Sequence, residues 1–362
     1  MKKVIMILTN RFNPDVRVLK EAKYLVNIGY NVEVLCWDRG ELVQEGDEII
    51  QGIKIKRFWI PSRAGSGFKQ LPSYLKFLNM CKRYIKKNNY DFLHCHDLDG
   101  AIIGCLISNH KKDKMIFDMH EFYESGRLER VKKMVRIFIN YIQNRSYKIL
   151  YVNDTQIQNV KASNKSKLIY LPNYPEAYKF RNLEKVTSEK LRIVYTGHPR
   201  HFFPLKALMD ASVNNNLVEI KINGYGPDYE KLKKIEPNYN NVKVTGKYSH
   251  DDIAKLYSET DLVYCVYNTG NVNNETALPT KFFEAIISEK PIIVNKKSYM
   301  ADICTKYDIG YLVDPLKPES IATIISNILN DRNDLEEKRN NIGKIKNKYS
   351  WEKVVTNLNE AY

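Results

Sequence analysis

The chain has 362 residues, 43% of them hydrophobic, and a formal net charge of +15. That length suffices for two α/β domains with complete cores, and the hydrophobic content excludes an intrinsically disordered chain. We expect neither a transmembrane helix nor a signal peptide, because no run of about 18 apolar residues occurs and the first apolar run has only about five. The six scattered cysteines form no Cys-x-x-Cys pair, a pattern typical of reduced core thiols in a cytoplasmic protein.

The positive charge is concentrated in the first half of the chain. Residues 1–171 hold 30 Lys or Arg and 17 Asp or Glu, a balance of +13, whereas residues 172–362 hold 27 and 25, a balance of +2. Such asymmetry indicates that the first half meets an anionic partner, whether a membrane surface, a phosphorylated acceptor or nucleic acid. A nucleic-acid-binding protein would show aromatic residues interleaved with basic ones, or a helix-turn-helix, and neither occurs. We therefore expect no nucleic-acid partner.

Strand and helix patterns alternate along the chain, which predicts parallel sheets covered by helices. In the first half we predict strands at 4–8, 31–36, 92–94, 115–117, 149–152 and 168–170, and helices at 17–28, 71–87 and 128–149. A linker without clear periodicity follows, from about Pro172 to Lys190. In the second half we predict strands at 192–196, 218–222, 242–245, 262–265 and 292–294, and helices at 205–212, 228–234, 251–258, 280–288 and 318–329.

Three predicted strands of the first half are followed by polar residues. Asp15 and Arg17 come after the first strand, and Arg17 either contacts a phosphate or lies on a solvated helix face. His94-Cys-His96-Asp97 and Asp118-Met-His120-Glu121 end the other two. These polar groups are typical of a hydrogen-bond network that ties loops together. The spacing lacks the paired Cys-x-x-Cys or His-Glu-x-x-His arrangement of zinc sites, so we expect no metal.

The most informative stretch runs from Asn274 to Val294, and reads NETALPTKFFEAIISEKPIIV. A polar loop leads through Pro279 into a short apolar helix, and then into a buried strand. The start of such a helix offers free backbone N–H groups and a positive dipole end, which suit a diphosphate. Glu284, about one turn inside the helix, is placed to accept hydrogen bonds from sugar hydroxyls.

This stretch closely resembles the donor-binding motif of the retaining nucleotide-sugar glycosyltransferases of family 4, which have the GT-B fold. The family pattern reads roughly E…P-x-K-x-x-E-A…G-x-P-V-I, and Lys281 and Glu284 match it. Counting back from Glu284 places the first motif position at Thr276, while the carboxylate lies one residue earlier at Glu275. The resemblance thus implies a catalytic role for Glu275, with Thr276 as the alternative, and donor contacts from Thr280, Lys281 and Glu284.

Further motifs extend the resemblance over almost the whole chain. Asp118-Met-His120-Glu121 resembles the segment whose histidine faces the donor sugar, which implies that His120 positions the sugar as a neutral imidazole. Arg200 and Lys206 resemble the cationic pair that neutralises the leaving diphosphate, although alignment on the following helix puts Phe203 at the lysine position.

The nucleoside-binding loops of the family also have counterparts. Gly226, in Asn223-Gly-Tyr-Gly226, and Tyr248, in Thr245-Gly-Lys-Tyr248, lie in segments that resemble them. The resemblance implies that Tyr248 stacks on the base, whereas the alternative is a tyrosine that packs within the loop.

The resemblance implies an α/β GT-B fold, with two Rossmann-like domains facing each other across a cleft. Residues 1–175 would bind the acceptor and residues 176–345 the nucleotide sugar, while residues 346–362 would form a helix that returns to the first domain. It also implies a metal-independent hexosyl- or N-acetylhexosaminyl-transferase, in which cationic side chains replace a metal at the diphosphate. Retention would come from front-face attack, since no evident second carboxylate is found among Asp97, Asp99 and Asp118.

We expect a cytoplasmic enzyme, peripheral on the inner face of the plasma membrane, whose acceptor is a lipid-linked or cell-surface glycan. The alternatives are a GT-B nucleotide-sugar epimerase and a non-catalytic nucleic-acid-binding protein. Residues 71–87 and 127–148 combine many basic residues with apolar stripes. We predict the stripes at Leu71, Leu75, Leu78, Cys81 and Ile85, and at Leu128, Val131, Val135, Phe138 and Ile142. Either the stripes pack on the sheet and the charges are solvated, or the charges lie on an anionic leaflet.

Overall fold

The computed structural model describes the whole chain except residues 14, 41–45, 64–66, 110–112, 125–130, 182, 184–185 and 250–251 and the side chain of Phe68. Contacts divide the chain into two compact units. The first comprises Met1–Pro172 and Val355–Tyr362, and the second comprises Asn173–Val354. Sequence analysis places these boundaries at residues 175 and 346.

The first unit is a sheet with helices packed on it. Its strands are β1 (Lys3–Leu8), β2 (Asn31–Asp38), β3 (Gly46–Ile50), β4 (Ile53–Trp59), β5 (Phe92–His96), β6 (Lys114–Met119), β7 (Lys148–Tyr151) and β8 (Leu168–Tyr170). Its α-helices are α1 (Val16–Asn27), α2 (Leu71–Lys87), α3 (Asp97–Ile107) and α4 (Lys132–Arg145). The strand order is β3-β4-β2-β1-β5-β6-β7-β8, and every neighbouring pair is parallel except β3–β4.

The core of this unit lies in the central strands, which are covered on both faces and therefore consist of apolar runs. Residues 4–7 of β1, for example, are completely buried. All the strands predicted in this half are confirmed. The β3–β4 hairpin and α3 were missed, although Ile53, Lys54, Ile55 and Lys56 alternate with the period of two that indicates a strand.

The second unit has the same layered organisation. Its strands are β9 (Leu191–Thr196), β10 (Val218–Asn223), β11 (Val242–Thr245), β12 (Leu262–Cys265), β13 (Ile292–Asn295) and β14 (Gly310–Val313), in the order β11-β10-β9-β12-β13-β14. Its α-helices are α5 (Phe202–Ala211), α6 (Tyr229–Ile235), α7 (Ile253–Ser258), α8 (Val272–Thr276), α9 (Thr280–Ile287), α10 (Tyr299–Tyr307), α11 (Pro318–Asn330), α12 (Arg332–Ile345) and α13 (Trp351–Val354).

All strands of this sheet are parallel, so every strand ends at the same edge. The predicted strands and helices of this half are confirmed to within three residues at each end. Residue 251, where one helix was predicted to begin, lies outside the described part of the chain. The elements β14, α8, α10 and α12 were not predicted.

The last residues of the chain are tied to the first unit, though not by the single helix predicted over 346–362. Only α13 is α-helical there, and a 3₁₀ turn follows it over Val355–Glu360. The Trp351 amide, at the start of α13, donates to the Pro175 carbonyl. Tyr362 ends the chain in the first unit, where its ring lies 5.0 Å from that of Phe92 and its hydroxyl 2.5 Å from His94 Nδ1.

The helix α2 differs from its predicted packing. Phe77, Cys81 and Ile85 are its buried residues, whereas Leu71 and Leu75 are about half exposed. Its buried face is therefore rotated from the predicted stripe and begins one turn later. The five basic residues of α2 are all exposed: Lys76, Lys82, Arg83, Lys86 and Lys87.

The packing of α4 also differs from the prediction. Val135, Ile139 and Ile142 are buried, whereas Val131 and Phe138 are exposed. Leu128, Arg127 and Arg130 lie outside the described residues. Among the residues that the structure describes, no helix is both long and apolar enough to cross a membrane.

Candidate functional site

Two backbone loops of the second unit approach so closely that only glycine fits. Gly197 follows β9 with φ +111°, and Gly224 follows β10 with φ +134°. A Cβ atom on Gly224 would lie 1.6 Å from the Gly197 carbonyl oxygen, and one on Gly226 would lie 2.7 Å from the Pro199 carbonyl oxygen. The predicted Gly226 is therefore required for loop packing. Close backbone approach of this kind also exposes amide groups to a ligand at the carboxyl edge of the sheet.

The side chain of Lys281 points toward this glycine loop from α9. It is 8% exposed, and its ammonium nitrogen has no hydrogen-bond partner among the described residues. Nζ lies 3.3 Å from the centre of the Tyr195 ring, a cation–π contact. A Cβ atom on Gly197 would lie 3.6 Å from this Nζ. Lys281 therefore presents a buried positive charge to the loop, and no described carboxylate forms an ion pair with it, although Glu284 acts on it electrostatically.

The environment of Lys281 is unfavourable for its own charge. Burial, with a smaller contribution from the positive charge of Arg200, lowers the pKa of Lys281 to about 8. Arg200 is exposed and forms no ion pair with any described residue. Two cations that form no ion pair with a described residue thus act on one another. An anion bound between them would relieve their repulsion and restore the charge that burial disfavours on Lys281.

A second polar group of α9 lies one turn further on. The Glu284 carboxylate is 5% exposed, and the Tyr257 hydroxyl donates to its Oε2 at 3.0 Å. The same hydroxyl lies 3.3 Å from Thr196 Oγ1 at the end of β9. Burial and the nearby charge of Glu284 raise the pKa of Tyr248. Three side chains from separate elements therefore lie near this carboxylate, and Tyr257 is the one that donates a hydrogen bond to it.

The start of α9 matches its predicted position, with Pro279 as N-cap and Thr280 as the first helical residue. The cap forms no side-chain hydrogen bond, and no acidic residue lies in the first turn. Thr280 Oγ1 accepts a hydrogen bond of 2.9 Å from the Asn173 side chain. This helix start therefore retains the positive dipole end that suits an anion.

The structure does not bring every predicted residue to this site. Lys206 forms an ion pair of 2.6 Å with Asp210 on the surface of α5, so its charge is already neutralised. The carboxylate of Glu275 accepts a hydrogen bond from the Gly270 amide, and the Thr276 hydroxyl donates to the Val272 carbonyl. The assignment of Lys206 to the diphosphate stays a prediction, and it would require Lys206 to exchange Asp210 for the ligand. Glu275 and Thr276 keep their predicted status, with local contacts that stabilise their own loop.

In the first unit, His120 lies between two carboxylates. Its Nε2 is 2.5 Å from Asp118 Oδ2, and its Nδ1 is 3.3 Å from Asp97 Oδ2. Burial opposes protonation, but the charges of Asp118 and Asp97 outweigh it and raise the pKa of His120 well above the ordinary value. The two carboxylates therefore favour the imidazolium, although Arg17 Nε also lies 3.1 Å from Nε2, and the neutral imidazole expected from the sequence stays a prediction.

Arg17 holds Asp118 in place. From the sequence, Arg17 could either contact a phosphate or lie on a solvated helix face. Arg17 is 6% exposed and donates to both carboxylate oxygens of Asp118, at 2.7 and 3.0 Å. Its NH1 donates to the Leu171 carbonyl at 2.9 Å. Burial opposes ionisation of Asp118, but Arg17 and His120 outweigh it and hold the pKa of Asp118 well below its usual range. Arg17 therefore positions the aspartate that positions His120.

The same pocket contains ligand types that a metal would use. Glu21, His94, His96 and Asp118 each place one atom within 4.8 Å of the others. Arg17 Nε, however, lies 3.0 Å from both Glu21 Oε1 and Asp118 Oδ2. A cation bound by both carboxylates would have to displace this guanidinium, so the residues present do not fit a metal. This cluster is instead a hydrogen-bond network of the kind predicted from the sequence.

Sequence reasoning missed three residues that the sites depend on. Tyr195 and Tyr257 were taken only as parts of a strand and a helix, and Glu21 as part of a helix. Their signal was weak because aromatic residues in apolar elements are usually core. Arg17 and Glu21 did carry one usable signal, since their spacing of four places them side by side on a helix.

We predict that Asp97→Asn lowers the pKa of His120, because it removes one of the two carboxylates that favour the imidazolium. Asparagine tolerates the left-handed backbone that Asp97 adopts, at φ +59°, so the fold should be retained. The pKa is measured by NMR titration of the histidine ring signals.

The matched control is Asp113→Asn, at the opposite end of β6, where the carboxylate accepts from the Tyr90 hydroxyl. Because the folded-state pKa of His120 is raised, its stabilising effect is complete below the unfolded value of about 6.5 and is lost as pH rises through the folded value. An unchanged His120 titration in Asp97→Asn would contradict the imidazolium assignment.

Two protein-family models together match most of the chain. A family model described as glycosyltransferase family 4 matches residues 15–198, just over half of the chain. A second model, described as glycosyl transferases group 1, matches residues 198–349. An uncharacterised glycosyltransferase of Methanocaldococcus jannaschii is 21% identical over 253 residues, which cover 67% of this chain and 59% of the relative. The match thus spans less than two thirds of that relative's length.

Solved structures show the same architecture. Sucrose-phosphate synthase from Thermosynechococcus elongatus has a TM-score of 0.77 at 14% identity, over 100% of this chain and 98% of its own. The HepE protein of Anabaena, in complex with UDP and glucose, has a TM-score of 0.72 at 15% identity, over 98% of each chain. At these identities the likeness shows the fold, which is GT-B. Because the two family models together extend over residues 15–349, the chain belongs to the group 1 glycosyltransferases of family 4.

Proposed function

We propose that this glycosyltransferase takes a hexosyl or N-acetylhexosaminyl group from a nucleotide-diphosphate sugar and transfers it with retention of configuration. The acceptor is a lipid-linked or cell-surface glycan. The observation that carries the donor proposal is the buried ammonium of Lys281, which faces a glycine loop without a neutralising partner among the described residues. A buried cation of this kind is costly unless a bound anion compensates it.

The diphosphate is the anion that this site suits best. Lys281 supplies one positive charge, Arg200 supplies a second, and the start of α9 supplies backbone N–H groups and a positive dipole end. These groups would stabilise the charge that develops on the leaving nucleotide diphosphate, the role that a metal has in other transferases. The proposal is therefore metal-independent, and a chelating agent should leave turnover unchanged.

The ribose and the base complete the donor. Glu284 is buried and oriented by Tyr257, so its carboxylate is suited to accept hydrogen bonds from the ribose hydroxyls. Tyr248 lies near enough to Glu284 for its pKa to respond to that charge, and its ring is proposed to stack on the base. HepE of Anabaena was solved with UDP and glucose, which supports a nucleotide diphosphate as the ligand of this fold.

The retaining mechanism rests on the family resemblance. In it the acceptor hydroxyl attacks from the face that the diphosphate leaves, and a phosphate oxygen accepts the proton. His120 is the residue of the first unit that the resemblance assigns to the sugar. Its ring nitrogens lie near Asp118 and Asp97, so a protonated His120 would donate to a sugar oxygen by exchanging the longer contact, that of Nδ1 with Asp97. Glu275 retains the catalytic role that its motif position implies.

A panel of nucleotide sugars tests the proposal directly. We expect thermal stabilisation by the correct donor, transfer to a glycan acceptor, and retained anomeric configuration in the product by NMR. Arg200→Ala should lower turnover by about a hundredfold or more, the usual effect of removing one group that stabilises developing charge. Release of a free epimerised sugar would support the epimerase alternative instead. Stabilisation by none of the nucleotide sugars would overturn the donor proposal.

We expect nucleotide-diphosphate affinity to fall as pH rises through about 8, because Lys281 then loses its proton in the free protein. Lys281→Met should bind more weakly below that pH and show little dependence on pH across it. Affinities are measured by calorimetry between about pH 6.5 and about pH 9.5, a window that brackets the lowered lysine pKa.

Loss of binding at high pH must be distinguished from unfolding. A lysine whose folded-state pKa is lowered contributes increasing stability as pH rises from about 8 to about 10.5, opposite to the binding trend. Lys206→Met is the matched control, since Lys206 is paired with Asp210 and should leave both the affinity and its pH dependence unchanged. Equal affinity of wild type and Lys281→Met at neutral pH would contradict the role of Lys281.

Glu284→Gln should weaken donor binding about ten- to a hundredfold, because a hydrogen bond to a charged group contributes about 1.5–3 kcal/mol. The substitution keeps the shape of the side chain and removes its charge, and Tyr257 retains an oxygen acceptor. Calorimetry with the nucleotide diphosphate gives the affinity. Glu319→Gln, in the first turn of α11, serves as the control helix-start substitution. If Glu284→Gln binds as tightly as wild type, the ribose assignment is incorrect.

A further inference from the structure

The helix α4 has two apolar faces, and only one of them packs in the core of the first unit. Val135, Ile139 and Ile142 form the buried face. The second face, which we call the α4 outer face, is highly exposed: Met134 is 60% exposed, Ile137 67%, Phe138 55% and Tyr141 51%. Large apolar side chains in one exposed cluster usually mark a contact surface.

The outer face is continuous along the helix. At about 100° per residue its four side chains fall within an arc of about 100°, and Val131 extends the arc by one position before the helix. The end of α3 adds Leu106, which is 61% exposed. Arg145 ties the two helices together here, since its NH2 donates to the carbonyls of Cys105 and Ser108. The apolar surface therefore belongs to a pair of helices that are joined by hydrogen bonds.

Positive charge lies at the start of α4, where Lys133 falls about 40° outside the apolar arc and Lys132 falls on the opposite side of the helix. Lys132 and Lys133 are exposed and form no ion pair with a described residue. Arg136 is different, because it pairs with Glu124 at 2.9 Å and also contacts Asn159. Its charge is partly neutralised and it has a structural role. Lys132 and Lys133 are thus the basic residues of α4 that remain available to an anionic partner.

We propose that the α4 outer face docks into an anionic lipid leaflet, with Met134, Ile137 and Phe138 inserted among the acyl chains and Lys133 at the headgroups. An exposed apolar arc with a lysine beside it is the pattern of helices that lie in the plane of a membrane interface. The inference deepens the proposed function and rests on it, because a lipid-linked acceptor resides at such a surface.

Charge favours a lipid leaflet over another protein surface as the partner of the α4 outer face. The first half of the chain carries a balance of +13, so an anionic leaflet is complementary to it. A second copy of the chain docked by two-fold symmetry would bring the same lysines together and would be repelled. The proposal also differs from purely electrostatic adsorption, because it requires the apolar side chains as well as the lysines.

Sedimentation with vesicles of phosphatidylcholine alone, or mixed with phosphatidylglycerol, tests the proposal. Wild type should bind the anionic vesicles much more strongly than the neutral ones. The double variant Ile137→Gln, Phe138→Gln removes the apolar insertion, and Lys132→Glu, Lys133→Glu reverses the charge. Each should weaken partitioning by about tenfold or more. The matched control is Leu316→Gln, which changes a leucine of the second unit that is 56% exposed, and it should bind as wild type does.

The results distinguish insertion of the apolar side chains into the bilayer from electrostatic attraction to its surface. High salt should weaken wild-type binding but leave a residual that the Gln variant lacks, since screening acts on charges alone. If the Gln variant binds anionic vesicles as wild type does, insertion is wrong. Wild-type binding to neither vesicle, or self-association lost in the Gln variant, would also overturn the proposal. Nucleotide binding by each variant is measured separately, so failure of the donor proposal would be recognised independently.

Discussion

In a parallel sheet every strand ends at the same edge, and this constraint places all of the functional groups described here. In the second unit, the loops after β9 and β10 meet at that edge and touch through Gly197 and Gly224, which no side chain could replace. In the first unit, β5 and β6 end side by side and deliver His96 and His120 to one aspartate. Residues far apart in sequence therefore become neighbours because the strands that carry them share a direction.

The two units handle buried charge in opposite ways. The first unit buries Arg17 with Asp118 and Glu21, so each charge has a partner and the cluster is electrostatically complete. Because all of its charges are paired, this cluster is suited to fixing the orientation and protonation of His120. The second unit buries Lys281 against an aromatic ring and leaves it without an anion. A site with an unpaired buried cation is stabilised most by an anionic ligand. The donor proposal depends on Lys281 for this reason.

The helix α4 shows how one sequence pattern can serve two surfaces. Its apolar residues are numerous enough to form a buried face and an adjacent exposed one, and both satisfy the helical period. Burial of Val135, Ile139 and Ile142 is explained by the core of the first unit. The exposed residues have no such explanation within the fold. Exposing these apolar side chains to water is unfavourable, and the proposed contact with a lipid leaflet would remove them from it.

The sequence alone determined the alternation of strands and helices, the positions of most elements and the family. These follow from local periodicity and from motif order, which need no knowledge of distant contacts. It also identified Lys281 and Glu284, because both lie within one short motif. The β3–β4 hairpin, with its turn at Gln51 and Gly52, was missed although its local alternation was visible.

Tertiary structure decided everything that depends on partners distant in the chain. The protonation of His120 is set by Asp97, twenty-three residues away, and by an aspartate that Arg17 holds across a hundred residues. Lys206 was paired with Arg200 in sequence, with Phe203 as the alternative, and the structure places Lys206 in an ion pair with Asp210. Which face of α4 is buried was equally undetermined, since periodicity fixes the spacing of a stripe and packing fixes its direction. Electrostatics and burial act over distance in space, and sequence spacing does not report that distance.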